Sequence, residues 1–253
     1  MIIKYTFIFI TLIHGLIHFM GFAKAFSYSN MVQLTKDISK PVGVLWFATA
    51  LLFVIAMILF LMDNSNWVSL TIIAAIISQI LIISVWQDAK FGTIANVLAL
   101  AVAISGWASL NFEAKFKNDV LTHLQRTNSL EMGLLTEGDI QSLPVPVQKY
   151  LRYCQVLNKP KVKNMKVVFD SEMREKGKDW FPFRSVQYNF FDEPTRLFFM
   201  KGKMFGTTVP GYHCYQDATA TMQIKLLGLF DVVNIKGEIM NKAETVTYLT
   251  ICA

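Results

Sequence analysis

Charge is nearly missing from the first 112 residues, which hold 8 of the 42 Asp, Glu, Lys and Arg side chains; the other 34 follow Phe112. That absence excludes a water-facing surface for the first part, because soluble folds cover themselves with charged side chains. Four uncharged apolar runs stand there instead: Tyr5–Ala23, Val42–Met62, Trp67–Gln87 and Phe91–Phe112, each 19 to 22 residues long. About 20 helical residues, rising 1.5 Å each, cross a hydrocarbon core of roughly 30 Å. The sequence therefore predicts a bundle of four transmembrane helices followed by a polar part with the mixed composition of a soluble domain. The mean hydropathy of +0.40 averages two different solvents.

Cysteine is sparse as well. Cys154, Cys214 and Cys252 are 60 and 38 residues apart and match no zinc or C-x-x-C pattern. Three cannot all pair internally: they are small buried hydrophobes, or two of them form a disulfide in an oxidising compartment. Catalytic signatures are absent too, with no G-x-S-x-G, H-E-x-x-H, G-x-x-x-x-G-K-[ST] or G-x-G-x-x-G. His123 and His213 stand apart from any nucleophile in sequence; Asp170, Asp217 and Asp231 are the carboxylates that could meet His213 in space. No catalytic residue, metal set or cofactor is expected. The net charge of +6 is interspersed rather than clustered, which leaves no nucleic-acid footprint and suits residence beside anionic lipid.

Lys4 precedes the first apolar run, but no small-residue cleavage site follows, so this run reads as a helix rather than a leader. Asp63-Asn64-Ser65-Asn66 and Gln87-Asp88-Ala89-Lys90 are too short to join anything but antiparallel neighbours. Trp46, Trp67, Trp86 and Trp107 fall near the span ends, where interfacial aromatics anchor helices. His14 and His18 lie four apart on one helix face. They either ligate a metal or relay a proton, or they hydrogen-bond across helices as neutral imidazoles, with Ser78, Gln79, Ser84, Asn96 and Ser105 as partners.

Beyond Phe112, Asn118–Leu130 reads as a juxtamembrane helix with Val120, Leu121 and Leu124 on one side. Thr136-Glu137-Gly138-Asp139 matches a capping box, and Val145–Cys154 is an amphipathic helix with proline in its first turn. From Val162 the period changes to two. Met165, Val167, Phe169 and Met173 alternate with Lys166, Asp170, Glu172 and Arg174. Val186, Tyr188 and Phe190 alternate in the same way, as do Phe198, Met200 and Met204, and then Ala220, Met222, Ile224 and Leu226. Turns are expected at 192–194, Pro210-Gly211 and 216–218, giving a meander of five or six strands before a helix from Glu238. The expected organisation is thus 1–112 transmembrane, 113–161 juxtamembrane helical, and 162–253 antiparallel sheet plus helix. The apolar face of that sheet is either ordinary core under the helices at 145–157 and 239–252, or a concave pocket lined by Phe169, Tyr188, Phe198, Met200, Met204, Met222 and Ile224.

The runs Leu143–Tyr153, Tyr212–Asp217 and Ile224–Leu229, with Gly15–Phe26 in the first helix, resemble a bacterial family of unknown function, DUF6544 (also DUF6920). Asp217-Ala218 stands where an Asp-Gly turn is common in that family. The resemblance implies no catalytic residues. It does imply a polar domain similar to the open half-barrel of the LolA/LolB carriers, in which a curved sheet and covering helices hold acyl chains.

The expected function is that of a multi-pass protein of the bacterial cytoplasmic membrane, with membrane lipids as partners, that binds a lipid or other apolar ligand in a membrane-anchored half-barrel. A lipid-directed enzyme and a module docking an envelope protein are the alternatives. The last helix lacks a Gly or Asn stop, so the half-barrel is expected to be truncated at its C-terminus. Lys24, Lys36, Lys40 and Lys90 in loops one and three slightly outnumber Lys4, Lys115 and Lys117, which places the polar domain outside the cytoplasm.

Overall fold

The computed structural model describes residues 2–174, 176–204 and 207–252. Two compact units emerge: one holds residues 1–112 with 203–208 and 226–230, the other holds 113–202, 209–225 and 231–253.

The first unit is built on helices α1 (Ile2–Ile17), α2 (Phe19–Ala25), α3 (Lys40–Leu61), α4 (Trp67–Ser84), the single turn α5 (Trp86–Ala89) and the first part of α6 (Gly92–Asn128). Four helical stretches are long and apolar enough to cross a membrane: Lys4–Ala25, Lys40–Leu61, Trp67–Ser84 and Gly92–Asn128. They mark the chain as a membrane protein. Ala50, Ala56, Ala74, Ala75, Ala99 and Ala103 are almost wholly buried, so small side chains line the helix contacts, as membrane packing favours. Trp46 departs from the interfacial expectation: it is 2% exposed and lies across Gly21, where an added Cβ would come within 2.2 Å of its ring. Sequence position near a span end had suggested an anchor; a glycine on the facing helix draws the indole inside instead.

In the second unit six strands form an open antiparallel meander in chain order: β1 (Asn164–Met173), β2 (Phe181–Phe190), β3 (Thr195–Met204), β4 (Thr207–Gln216), β5 (Thr219–Leu226) and β6 (Phe230–Lys236). α7 (Glu137–Ile140) carries the expected Thr136–Asp139 capping box, α8 spans Val145–Tyr153, and α9 spans Glu238–Cys252. Pro210 stands inside β4 rather than in a turn. The β4–β5 pairing starts at Gly211 opposite Ile224, so β5 makes no demand on the missing N–H of Pro210.

One expectation is extended and another is corrected. No break separates a fourth span from a juxtamembrane helix, because α6 continues unbroken to Asn128. Its stripe Phe116, Val120 and Leu124 repeats every four residues, and nothing between Phe112 and Asn118 stops a helix. α8 does not cover the sheet's core, since none of its residues is buried and Tyr150 and Tyr153 are 64% and 85% exposed. Residues 113–128 of α6 take that place: Phe116 stacks on Phe199 at 5.2 Å and meets Tyr212 edge-on at 5.6 Å.

Candidate functional site

Register decides which side chains share a face of the sheet. Lys166 pairs with Tyr188, Val168 with Val186, and Val186 with Phe199. This face therefore carries Lys166, Val168, Arg184, Val186, Tyr188, Phe190, Leu197, Phe199 and Lys201, and α6 lies on it. The opposite face carries Met165, Val167, Phe169, Ser185, Gln187, Asn189, Phe198 and Met200. It continues through Gly211, His213 and Tyr215 to Ile224, Met222 and Ala220.

The expected pocket set is thus divided. Tyr188 stands on the α6 face, whereas Phe169, Phe198, Met200, Met222 and Ile224 occupy the other face. Met204 falls at the end of β3, and its side chain lies outside the described residues. Each strand's alternation was legible, but its phase relative to its neighbours was not, and a one-residue difference moves a whole strand's apolar set to the other face.

Between residues 113–124 of α6 and strands β1–β3 runs a cleft of about 490 Å³. Its apolar walls come from Phe116, Val120, Leu121, Leu124, Val186, Tyr188 and Phe199, and its charged edge from Glu113, Lys117, Lys166, Arg184 and Lys201. Glu113 takes Lys117 at 3.0 Å and Lys201 at 2.6 Å. Lys166 holds its ammonium 5.6 Å from the Tyr188 ring centroid, a cation–π contact. Such walls suit a chain or ring that prefers oil to water, with polar groups only at one edge. One signal of this site stands in the sequence, the four-residue stripe that runs on past Phe112; that Lys166, Arg184 and Lys201 share the α6 face follows only from the strand register.

The opposite face holds a buried polar cluster beneath α9. Arg196 Nη1 donates to Glu244 Oε2 at 2.6 Å and its Nη2 to Gln187 Oε1 at 3.1 Å, while His213 Nε2 lies 3.5 Å from Glu244 Oε1. Burial lowers the His213 pKa; Glu244 opposes that shift and Arg196 adds to it. Tyr248 closes the cluster by donating to the Phe190 carbonyl at 2.6 Å. Glu244 is thus the carboxylate that meets His213. Asp170 pairs with Arg184 and Asp231 with Lys225 instead, and Asp217 sits in the β4–β5 turn. Cys214 is half-buried and free, with its thiol pKa pushed up by burial, and Cys154 is free and exposed. The side chain of Cys252 lies outside the described residues.

In the bundle, His14 and His18 do converge with Ser78, Gln79 and Asn96. His18 Nδ1 lies 2.9 Å from the His14 carbonyl, which can only accept, so this nitrogen carries the proton. Nε2 of His18 then accepts from the Ser78 hydroxyl at 2.9 Å. His14 Nε2 donates to Asn96 Oδ1 at 2.9 Å, Asn96 Nδ2 to Gln79 Oε1 at 3.0 Å, and Gln79 Nε2 to Thr93 Oγ1 at 3.1 Å. Ser84 bonds the Leu81 carbonyl and stays out of this chain. A smaller cavity, about 220 Å³, lies against His14, His18 and Trp46. With both nitrogens of His18 engaged, the arrangement ties helices together rather than offering ligands; among the described residues no three His, Cys, Asp or Glu converge as a metal set.

No curated protein and no solved structure matches the chain. Residues 133–252, which hold the whole sheet and α9, match the model of DUF6544, a family of unknown function.

Proposed function

We propose that the protein binds a lipid or similarly apolar ligand in the cleft between α6 and the sheet, in a domain anchored to the membrane by the helical bundle. The observation that carries this reading is the cleft itself: about 490 Å³, bounded by seven apolar side chains from one helix and two strands. That volume lies within the roughly 300–1,000 Å³ of small-molecule sites. An open antiparallel sheet with a helix across one face is also found in a LolA-like half-barrel, which supports a carrier or sensor of lipid rather than an enzyme. The same reading sets the protein in a bacterial cytoplasmic membrane with its polar domain outside, on the lysine balance of its loops.

Native mass spectrometry of the detergent-purified chain tests it, with a defined apolar adduct expected on the wild type. Val186→Trp, which fills the cleft from its floor, should remove the adduct while the thermal transition persists. An adduct unchanged by Val186→Trp, or none on the wild type, overturns the reading.

A further inference from the structure

We infer that the ligand of this cleft is an anionic amphiphile, one acyl chain ending in a carboxylate or phosphate head, and that Lys166 and Arg184, the rim cations that Glu113 does not engage, attract the head. The inference rests on the cleft being a binding site and adds the charge of what it binds.

Charge at the edge is lopsided. Four cations, Lys117, Lys166, Arg184 and Lys201, face one carboxylate, Glu113, a surplus of three positive charges along an otherwise apolar cavity. Glu113 is consumed by Lys117 and Lys201. Among the described residues Arg184 pairs only with Asp170, at 3.4 Å, with both side chains about two-thirds exposed, where an ion pair contributes little. Lys166 has no carboxylate partner among the described residues.

Register sharpens the point. Arg184 stands directly opposite Lys201 across β2 and β3. Like charges set face to face across strands repel and destabilise the pairing. A bound anion turns that repulsion into attraction, and the planar guanidinium of Arg184 offers the parallel donors that carboxylates and phosphates accept. Beneath the cations the wall becomes Val186, Tyr188, Phe199, Phe116 and Val120. Arg184 and Lys201 share one row and Lys166 stands two rows along, opposite Tyr188, so the rim of the cleft suits an anion and its floor a hydrocarbon.

The test uses the whole chain in a neutral detergent and two fluorescent probes, dansylated undecanoic acid and its methyl ester, which share a chain and differ in charge. The acid should bind about tenfold more tightly, as expected when one charged hydrogen-bonded contact is gained. Added salt should weaken the acid and leave the ester unchanged. Lys166→Gln with Arg184→Gln should bring the acid down to the affinity of the ester, whereas Lys166→Arg with Arg184→Lys should keep the preference. Equal binding of acid and ester to the wild type, or a preference that ignores salt, overturns the anionic class and leaves the cleft reading standing. A preference that survives the double Gln substitution overturns the two named residues. Binding of neither probe overturns the cleft reading itself.

Discussion

Ser78 Oγ lies 2.9 Å from Nε2 of His18 and 3.2 Å from Nε2 of His14, so one hydroxyl on α4 ties together both histidines of α1–α2. Ser78 is wholly buried, and its hydroxyl is the only link between the His18 ring and α4 among the described hydrogen bonds. Ser78→Ala should destabilise the bundle by about 1–2 kcal/mol, at the upper end for interhelical hydrogen bonds in membranes. Ser84→Ala is the control, because among the described hydrogen bonds that hydroxyl only returns to the Leu81 carbonyl of its own helix. Unfolding measured in mixed micelles should separate the two; equal shifts would show that the histidine network contributes nothing.

Gly21 faces the ring of Trp46 at a distance no side chain can share. Gly21→Val should force the helices apart, with a loss of roughly 2–3 kcal/mol from overpacking. Gly21→Val combined with Trp46→Ala should recover part of it, because the second change opens the space that the first needs. A double variant no better than the sum of the singles would refute the contact as the cause.

What could be read from the chain alone followed from period and spacing, and what could not followed from register. Val186, Tyr188 and Phe190 alternate in sequence as plainly as Phe198 and Met200, yet Tyr188 pairs with Leu197 and so stands opposite Phe198's face. Nothing in either strand sets that phase; the turn at 191–194 does. The charged edge of the cleft escaped for the same reason: Lys166 looked like a wet-face residue beside Met165 and Val167, and only pairing with Tyr188 places it over an apolar wall. Glu244 was hidden differently. It meets Arg196 and His213 from a helix 31 or more residues further along the chain, a distance over which no sequence spacing carries information.

Ala218 holds φ at +55°, beside Asp217 at +52°, as both central residues of a tight two-residue hairpin must. An L side chain is strained there by about 1 kcal/mol. Ala218→Gly should raise the thermal transition of the polar domain, a gain of roughly 0.5–1 kcal/mol after glycine's extra unfolded freedom is counted. Thr219→Gly, one residue into β5, should lower it instead. If both substitutions lower it, the turn type is wrong.

The pH dependence of stability should carry a mark of His213. Burial lowers its folded pKa below the ordinary value of about 6.5, so the imidazole is neutral in the fold while the unfolded chain takes up a proton first. Its contribution is therefore complete above about pH 6.5 and is lost as pH falls from there toward the folded pKa. His213→Gln removes the titration and keeps a neutral side chain beside Glu244. The thermal transition of the variant should fall less steeply between about pH 7 and pH 5 than that of the wild type. Parallel slopes would show that His213 is not held neutral by its burial.

Ala220 and Thr221 are neighbours on β5 that differ in everything the fold cares about. Ala220 is 0% exposed, packed with Tyr215 and Tyr248, and its N–H donates to Asn241 Oδ1 on α9 at 2.8 Å. Thr221 points to water. A carboxylate at 220 must lose its hydration among two aromatic rings and push α9 off the sheet, so Ala220→Asp should cost several kcal/mol and prevent folding of the domain. Thr221→Asp should change stability by less than about 0.5 kcal/mol, the range of ordinary surface substitutions. Because the two positions differ only in which face they take, circular dichroism melts of the pair read the register directly. Similar losses would mean that β5 presents its other face to α9, and the division of apolar side chains between the two faces would have to be redrawn.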